Sequence, residues 1–445
     1  MKNCSIILIL HNQFVLVNHT INNILRFSGD ISVNIIIVDN ASRDGLTEWL
    51  QEQRDYDYVL CDTVENYADI LNTVIQEFCL ETDVFLLSPS LLLLPECLNR
   101  LYHVLDVNTR IGAVSAEILE SFETNGDFIA VEEKARQNEL EEKRQILCPD
   151  NDAVLFRREF IESIGAFDRE IMLPEKVILD YVFRGIIEGW KYYQVGNAMT
   201  LKIKERCNPY KTKEMVGNDS KRMREKWGMK YFNLFPNENL IKYIQENQSK
   251  RFDVLEVGCD CGANLLGVRN RYPNANLYAV EINSYAARIA SFFANVQVGN
   301  IEQDKLQWDN IKFDYILLGD VLEHLRDPEA TLCNCLSLLK EGGKVIACIP
   351  NLMHYSVMSD LINGNFTYTE QGLLDCTHIH FFTFNEIIRM FTRANYRIEN
   401  VCCLVPPQKP TEYQQKVIDT LVELSLDATE TMFQTFQYVV TAHKK

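Results

Sequence analysis

Apolar positions along the chain alternate between two rhythms. "CSIILIL" and "SVNIIIVDN" are unbroken apolar runs, the pattern of parallel strands covered on both faces. Between them "NHTINNILRFS" repeats its apolar residues at helical spacing. "ASRDGLTEWLQEQ" predicts a helix with an Asp/Ser start, "DYVLC" a strand, "YADILNTVIQEFCLE" a helix and "DVFLLS" a fourth strand. Residues 126–144 are charged and, in their second part, helical in pattern. "NDAVLFRREFIESIGAFD" reads as strand, helix and turn, and "ILDYVFRGIIEGWKYYQVG" as a helix ending at Gly189 and then a strand. Alternation of this kind predicts an α/β layer.

The rhythm breaks between about 211 and 250. "KTKEMVGNDSKRMREKWGMKYF" is rich in Lys and Arg, and "NENLIKYIQENQSKR" predicts an amphipathic helix, so this stretch is expected as a helical linker. A second α/β pattern follows, with strands at "FDVLEVG", "NLYAVEI", "VQVGN", "FDYILLGD", "GGKVIACIP", "YRIENVCCL" and "TFQYVVTAHK". The expected organisation is a first domain over 1–210, the linker 211–250 and a second domain over 251–445.

A length of 445 residues suits two or three domains, and 47% hydrophobic residues suffice for packed cores. The net charge of −18 argues against a nucleic-acid partner, whose phosphates call for Lys and Arg. The 14 cysteines include no C-x-x-C pair and read as reduced thiols, which predicts a cytoplasmic protein. The N-terminal apolar run is too short for a signal peptide, and no run reaches the roughly 18 apolar residues of a membrane span.

Candidate chemistry gathers at strand tips. "VLEVGCDCGAN" is a strand, a turn with Gly258 and Gly262, and a helix start. The next strand ends at Glu281, where a carboxylate can take two ribose hydroxyls. The third strand runs into "GNIEQ" and the fourth into "LLGDVLEHLRDP", at the same carboxyl edge. Together they predict a nucleoside site.

Residues 252–445 resemble the class I S-adenosylmethionine-dependent methyltransferases, a Rossmann-like fold. "EVGCDCG" matches their first motif, "VEI" the second and "FDYILLGDVLEHLRDP" the fourth, and "CTHIHFFTFNEIIRMF" looks like a late segment of the sugar and small-molecule branch. The resemblance implies that Glu256, Gly258 and Gly262 wall the methionine and ribose, that Glu281 holds the ribose, and that Asn300 with Ile301 faces adenine. Two positions depart from it: Asp260 replaces the middle glycine, and Asn300 the usual acid. The cofactor is expected to be S-adenosylmethionine. Candidate bases for methyl transfer are His324, His378 and His380, with Asp320 or Asp375 as orienting partners. His378 and His380 share a face if their segment is extended. His324 equally reads as a capping or packing residue, and no metal-ligating cluster is expected.

"SIILILHNQ", "NIIIVDNASRDGLTEWL", "ENYADILNTVI", "GAFDRE" and "DYVFRGIIEGWKYYQVG" resemble the family 2 nucleotide-sugar glycosyltransferases, of GT-A-like fold, over about 4–228. The resemblance places Asp39 and Asn40 at the nucleotide. It also implies an acidic metal-binding tip after the fourth strand, where this chain has Ser88-Pro89-Ser90. The family's base position, two residues before Asp180, is Ile178, and Tyr67 takes a glycine's place. The first domain is therefore expected to be a degenerate transferase that uses no metal and retains, at most, a nucleotide sugar bound without one.

The chain thus reads as a methyltransferase acting on a sugar or glycan-linked group. It would serve surface polysaccharide or flagellar glycan assembly and associate with glycan-assembly proteins. The alternatives are a bifunctional sugar and methyl transferase and a non-catalytic recognition scaffold.

Overall fold

The computed structural model describes residues 2–120, 128–137, 143–150, 152–203, 212–229, 232–308 and 310–445. The chain divides into two compact units, Met1–Leu234 and Phe235–Lys445. Both are α/β.

The first unit holds β1 (Asn3–Leu10), β2 (Ser32–Asn40), β3 (Asp57–Cys61), β4 (Asp83–Leu87), β5 (Leu91–Leu93), β6 (Ile111–Glu120), β7 (Lys143–Ile146), β8 (Ala153–Phe156) and β9 (Lys191–Lys202). They form one mixed sheet in the order β3-β2-β1-β4-β8-β6-β9-β5, with β7 on β9. The unbroken apolar runs of β1, β2 and β4 pair in parallel, as their pattern predicts. Strand β8 lies antiparallel between β4 and β6 and carries the sheet past the Ser88-Pro89-Ser90 tip. Strands β5, β6 and β7 extend the set expected from the pattern.

The Lys/Arg-rich helix Lys213–Trp227, expected in the linker, packs within the first unit. Thr212 Oγ1 caps it by accepting from Met215 N–H at 3.2 Å, and Gly228 ends it at φ +70°. Its basic residues meet two acids, Asp168, half-buried, and Asp180, fully buried. Lys226 and Arg222 pair with Asp168, and Trp227 Nε1–H donates to Asp180. Its own Asp219 accepts from the N–H groups of Met172 and Leu173, where the helix Pro174–Ile187 begins. The charge of the expected linker is here a docking face.

The second unit holds β10 (Asp253–Val257), β11 (Asn276–Glu281), β12 (Asn295–Val298), β13 (Phe313–Gly319), β14 (Leu339–Pro350), β15 (Tyr396–Leu404) and β16 (Gln437–Lys444), matching the seven strands read from the pattern. Their order is β12-β11-β10-β13-β14-β16-β15. The first five are parallel, and β16 runs antiparallel to both β14 and β15. The strand order reverses between β10 and β13, so the crevice at their carboxyl ends is where an open sheet takes a ligand. "NENLIKYIQENQSKR" makes one helical turn, Glu238–Ile241, rather than a full helix. Its apolar residues, Leu240, Ile241 and Ile244, are buried within that short span, and the polar remainder has no face to bury. Among the described residues no helix is long and apolar enough to cross a membrane.

Candidate active site

At the tip of β10 the chain turns through Gly258 at φ +67° and Gly262 at φ +84°. A Cβ on Gly258 would stand 2.9 Å from Val321, and one on Gly262 2.6 Å from the Phe293 ring, so neither position admits a side chain. Asp260 lies between them at φ +48°, a left-handed conformation that Asp tolerates better than most residues. Its N–H donates to Glu281 Oε2 at 2.9 Å, and the Asn283 N–H donates to Oε1 at 2.7 Å. The carboxylate at the tip of β11 therefore fastens the β10 loop. Two backbone bonds leave it further lone pairs for a ligand's hydroxyls.

Glu256 is fully buried on β10. Its Oε1 accepts from Asn264 Nδ2 at 2.7 Å, while Oε2 has no hydrogen-bond partner. Burial pushes its carboxyl up to about 8. The Asn264 bond opposes the shift, and the charges of Glu281 and Asp260 add to it. A cationic ligand group would satisfy such an oxygen. At the next tip Asn300 Oδ1 accepts from Glu302 N–H at 2.9 Å, which leaves one carbonyl lone pair, and Ile301 packs against the core beneath. Glu256, Gly258, Gly262, Glu281, Asn300 and Ile301 thus line the carboxyl ends of three neighbouring strands.

Beyond β13, Asp320 sits at φ +54° and accepts from Gln437 Nε2 at 2.5 Å. Although the residue is exposed overall, desolvation of its carboxyl raises it to about 6, with the Gln437 bond opposing. Its side-chain bond goes to Gln437 and not to any of the three histidines, so it does not orient them. A short 3₁₀ turn, Leu322–His324, follows. The Glu323 carbonyl accepts from the N–H groups of Ile379 and His380, tying the histidine segment to this turn. The Glu323 side chain is buried, and both carboxylate oxygens lack a hydrogen-bond partner.

His378 faces this carboxylate. Its Nε2 lies 3.9 Å from Glu323 Oε1, and its side chain is only 6% exposed. Its Nδ1–H donates to the Leu373 carbonyl at 3.2 Å. Burial, and then His324, lower its pKa. The exposed His324 ring meets His378 edge-on at 4.8 Å, and its Nδ1–H donates to the Thr377 carbonyl at 3.2 Å. The Asp375 side chain accepts from Thr377 rather than from the His378 ring, and only the His378 backbone N–H reaches the Asp375 carbonyl.

Two expectations are corrected here. Residues 376 and 377 form a turn and 378–381 form no strand, and the His378 and His380 rings bond different carbonyls, of Leu373 and Arg326. His380 Nε2–H caps the Arg326 carbonyl at 3.2 Å. A potential metal-ligating group also exists: donor atoms of Glu323, His324 and His378 lie within 4.8 Å of one another. The spacing conceals it, because 53 residues separate the two histidines. The one available signal was an acid inside the apolar "VLEHL".

In the first unit Asp39 is buried and committed to its own loop, accepting from Ser42 N–H at 2.9 Å and Thr47 Oγ1–H at 2.5 Å. Asn40 bonds both backbone groups of Glu65. Ser88 and Ser90 line a cavity of about 350 Å³ with Glu117, Glu120, Asp152 and Lys202. Asp150 brings its wall to four carboxylates against one ammonium, which disfavours a diphosphate without a cation. Asp180, fully buried, is held by Arg184, Lys226 and Trp227.

Residues 222–401 match the family model of a methyltransferase domain. A ubiquinone biosynthesis O-methyltransferase of Coxiella burnetii is 28% identical over 134 residues, 29% of this chain and 56% of the relative. The chain thus spans about half the length of the curated relatives it matches. Among solved structures, a possible histamine N-methyltransferase from Thermotoga maritima overlays with a TM-score of 0.32 at 18% identity, covering 46% of this chain and 86% of the other. GalNAc-T7 with UDP, GalNAc and Mn²⁺ overlays at 0.40 and 12% identity, covering 51% and 48%. The methyltransferase-domain match takes in β10 to β14 and both histidine segments.

Proposed function

We propose that the second unit binds S-adenosylmethionine and methylates an oxygen or nitrogen of a sugar or glycan-linked acceptor. The observation that carries the reading is the Glu281 carboxylate, fastened to a positive-φ glycine turn at the point where the strand order reverses. When bound, the cofactor supplies an electrophilic methyl group on a sulfonium. Glu281 accepts the ribose hydroxyls, the partnerless Glu256 oxygen meets the methionine ammonium, and Asn300 with Ile301 flanks adenine. The acceptor is deprotonated at Glu323, His324 and His378, beyond the neighbouring strand. The methyltransferase-domain match and the sequence resemblance support this assignment.

The first unit is read as a nucleotide-sugar transferase layer that has lost its donor machinery. Its pairing with a methyltransferase motivates the sugar acceptor, cytoplasmic glycan assembly as the setting, and glycan-assembly proteins as partners. The test is methyl transfer from labelled cofactor to a panel of free sugars, nucleotide-linked sugars and phenols. Labelled sugar is expected. Label on phenols alone overturns the acceptor class. A second reading, sugar transfer by the first unit, draws on the cavity at Ser88 and Ser90, whose four carboxylates oppose a donor diphosphate bound without a cation.

A further inference from the structure

Glu323 poses a problem that methyl transfer by a lone base leaves unsolved. A carboxyl group is buried beside an imidazole, yet the two do not bond. At 3.9 Å the His378 Nε2 to Glu323 Oε1 separation is too long for a hydrogen bond. Both Glu323 oxygens remain without a hydrogen-bond partner, and leaving buried polar atoms unpaired is costly.

We propose that Glu323, His324 and His378 hold one divalent transition-metal ion, Zn²⁺ or Mn²⁺, with a further coordination position for an acceptor oxygen. Two donors on a tetrahedral ion with bonds of about 2.1 Å lie about 3.4 Å apart, so the 3.9 Å gap closes on an ion with a small side-chain adjustment. The tautomers are set for ligation. Each histidine gives its Nδ1–H to a backbone carbonyl, Leu373 for His378 and Thr377 for His324. That leaves Nε2 as the lone-pair nitrogen, which is how the second shell of a metal site orients its histidines. Two imidazoles beside one carboxylate favour a transition-metal ion, Zn²⁺ above Mn²⁺, over Mg²⁺ or Ca²⁺.

The location gives the ion its use. The cluster follows β13, next to β10 in the sheet, and Val321 packs against Gly258 of the cofactor turn. An acceptor hydroxyl bound there is both oriented and made more acidic. His324, exposed while His378 is half-buried and Glu323 buried, provides the open side. This use of the ion rests on the methyl-transfer reading above, but the site itself does not.

The test uses the full-length, untagged chain, stripped with a chelator and titrated calorimetrically with ZnCl₂ and MnCl₂. One site per chain is expected. His324→Asn, at an exposed position, and Glu323→Gln should each weaken it at least about tenfold while circular dichroism stays unchanged. No binding, or binding untouched by His324→Asn, overturns the proposal. S-adenosylmethionine is titrated into the same metal-free samples. Metal binding without cofactor binding defeats the methyltransferase reading and spares the site, and the reverse result defeats the site alone.

Discussion

Replacing Glu256 by Gln should remove a pH dependence built into β10. The buried carboxyl has its pKa raised from 4.5 to about 8, chiefly by burial, with the Asn264 bond opposing and the charges of Glu281 and Asp260 adding. The folded state therefore keeps its proton where the unfolded chain has lost it. The stabilisation is complete below about pH 4.5 and drains away as pH rises towards 8. At about 1.4 kcal/mol per pH unit, the loss between pH 4.5 and 7 is on the order of 3 kcal/mol. Glutamine keeps an oxygen for Asn264 and cannot ionise, so the variant should show none of this slope. Because the chain has two units, a single unfolding midpoint mixes them. Amide hydrogen exchange in β10 and β11, followed from pH 5 to 8 and corrected for intrinsic exchange, isolates the right one. Wild type should lose protection against the variant by on the order of 3 kcal/mol across that range. Parallel profiles would refute the buried, protonated state assigned to Glu256.

The remaining predictions concern the cluster and the first unit. His378→Asn should bind S-adenosylmethionine within a few-fold of wild type and turn over at least about 100-fold more slowly. Turnover within a few-fold of wild type would place acceptor activation elsewhere. Asp180→Ala should destabilise the first unit by about 3–5 kcal/mol, because it strands Arg184, Lys226 and the Trp227 N–H around an empty buried site. Urea unfolding followed by the fluorescence of Trp227 checks it, and a shift under about 1 kcal/mol would count against the docking role. Soaking with Mn²⁺ and a uridine diphosphate sugar should place no metal between Ser88 and Ser90, and sugar-nucleotide hydrolysis should not respond to Mn²⁺. A bridging metal ion would restore the bifunctional reading.

What the sequence revealed depended on whether the signal was local. All seven strands of the second sheet stand out as apolar runs between turns. Gly258, Gly262 and Glu281 are legible because a tight turn and a strand-tip acid leave marks within about 25 residues. Strand β5 is three residues long and continuous with an apolar run. Strand β7 is "KRQI", whose polar residues carry no β pattern, so its pairing with β9 is a tertiary matter. Helix Lys213–Trp227 read as part of a linker because its partners, Asp168 and Asp180, lie about 50 residues away. The Glu323 cluster was hidden for the same reason. "THIHFF" alternates like a strand, and only the bonds from 379 and 380 to the Glu323 carbonyl show that it forms none.

Direct titration of S-adenosylmethionine into the full-length chain and its Glu281→Ala variant tests the central claim. The account predicts one molecule bound per chain, with affinity falling about tenfold or more in the variant as the ribose hydroxyls lose a charged acceptor. No heat of binding in wild type, or equal affinity in the two proteins, would contradict it.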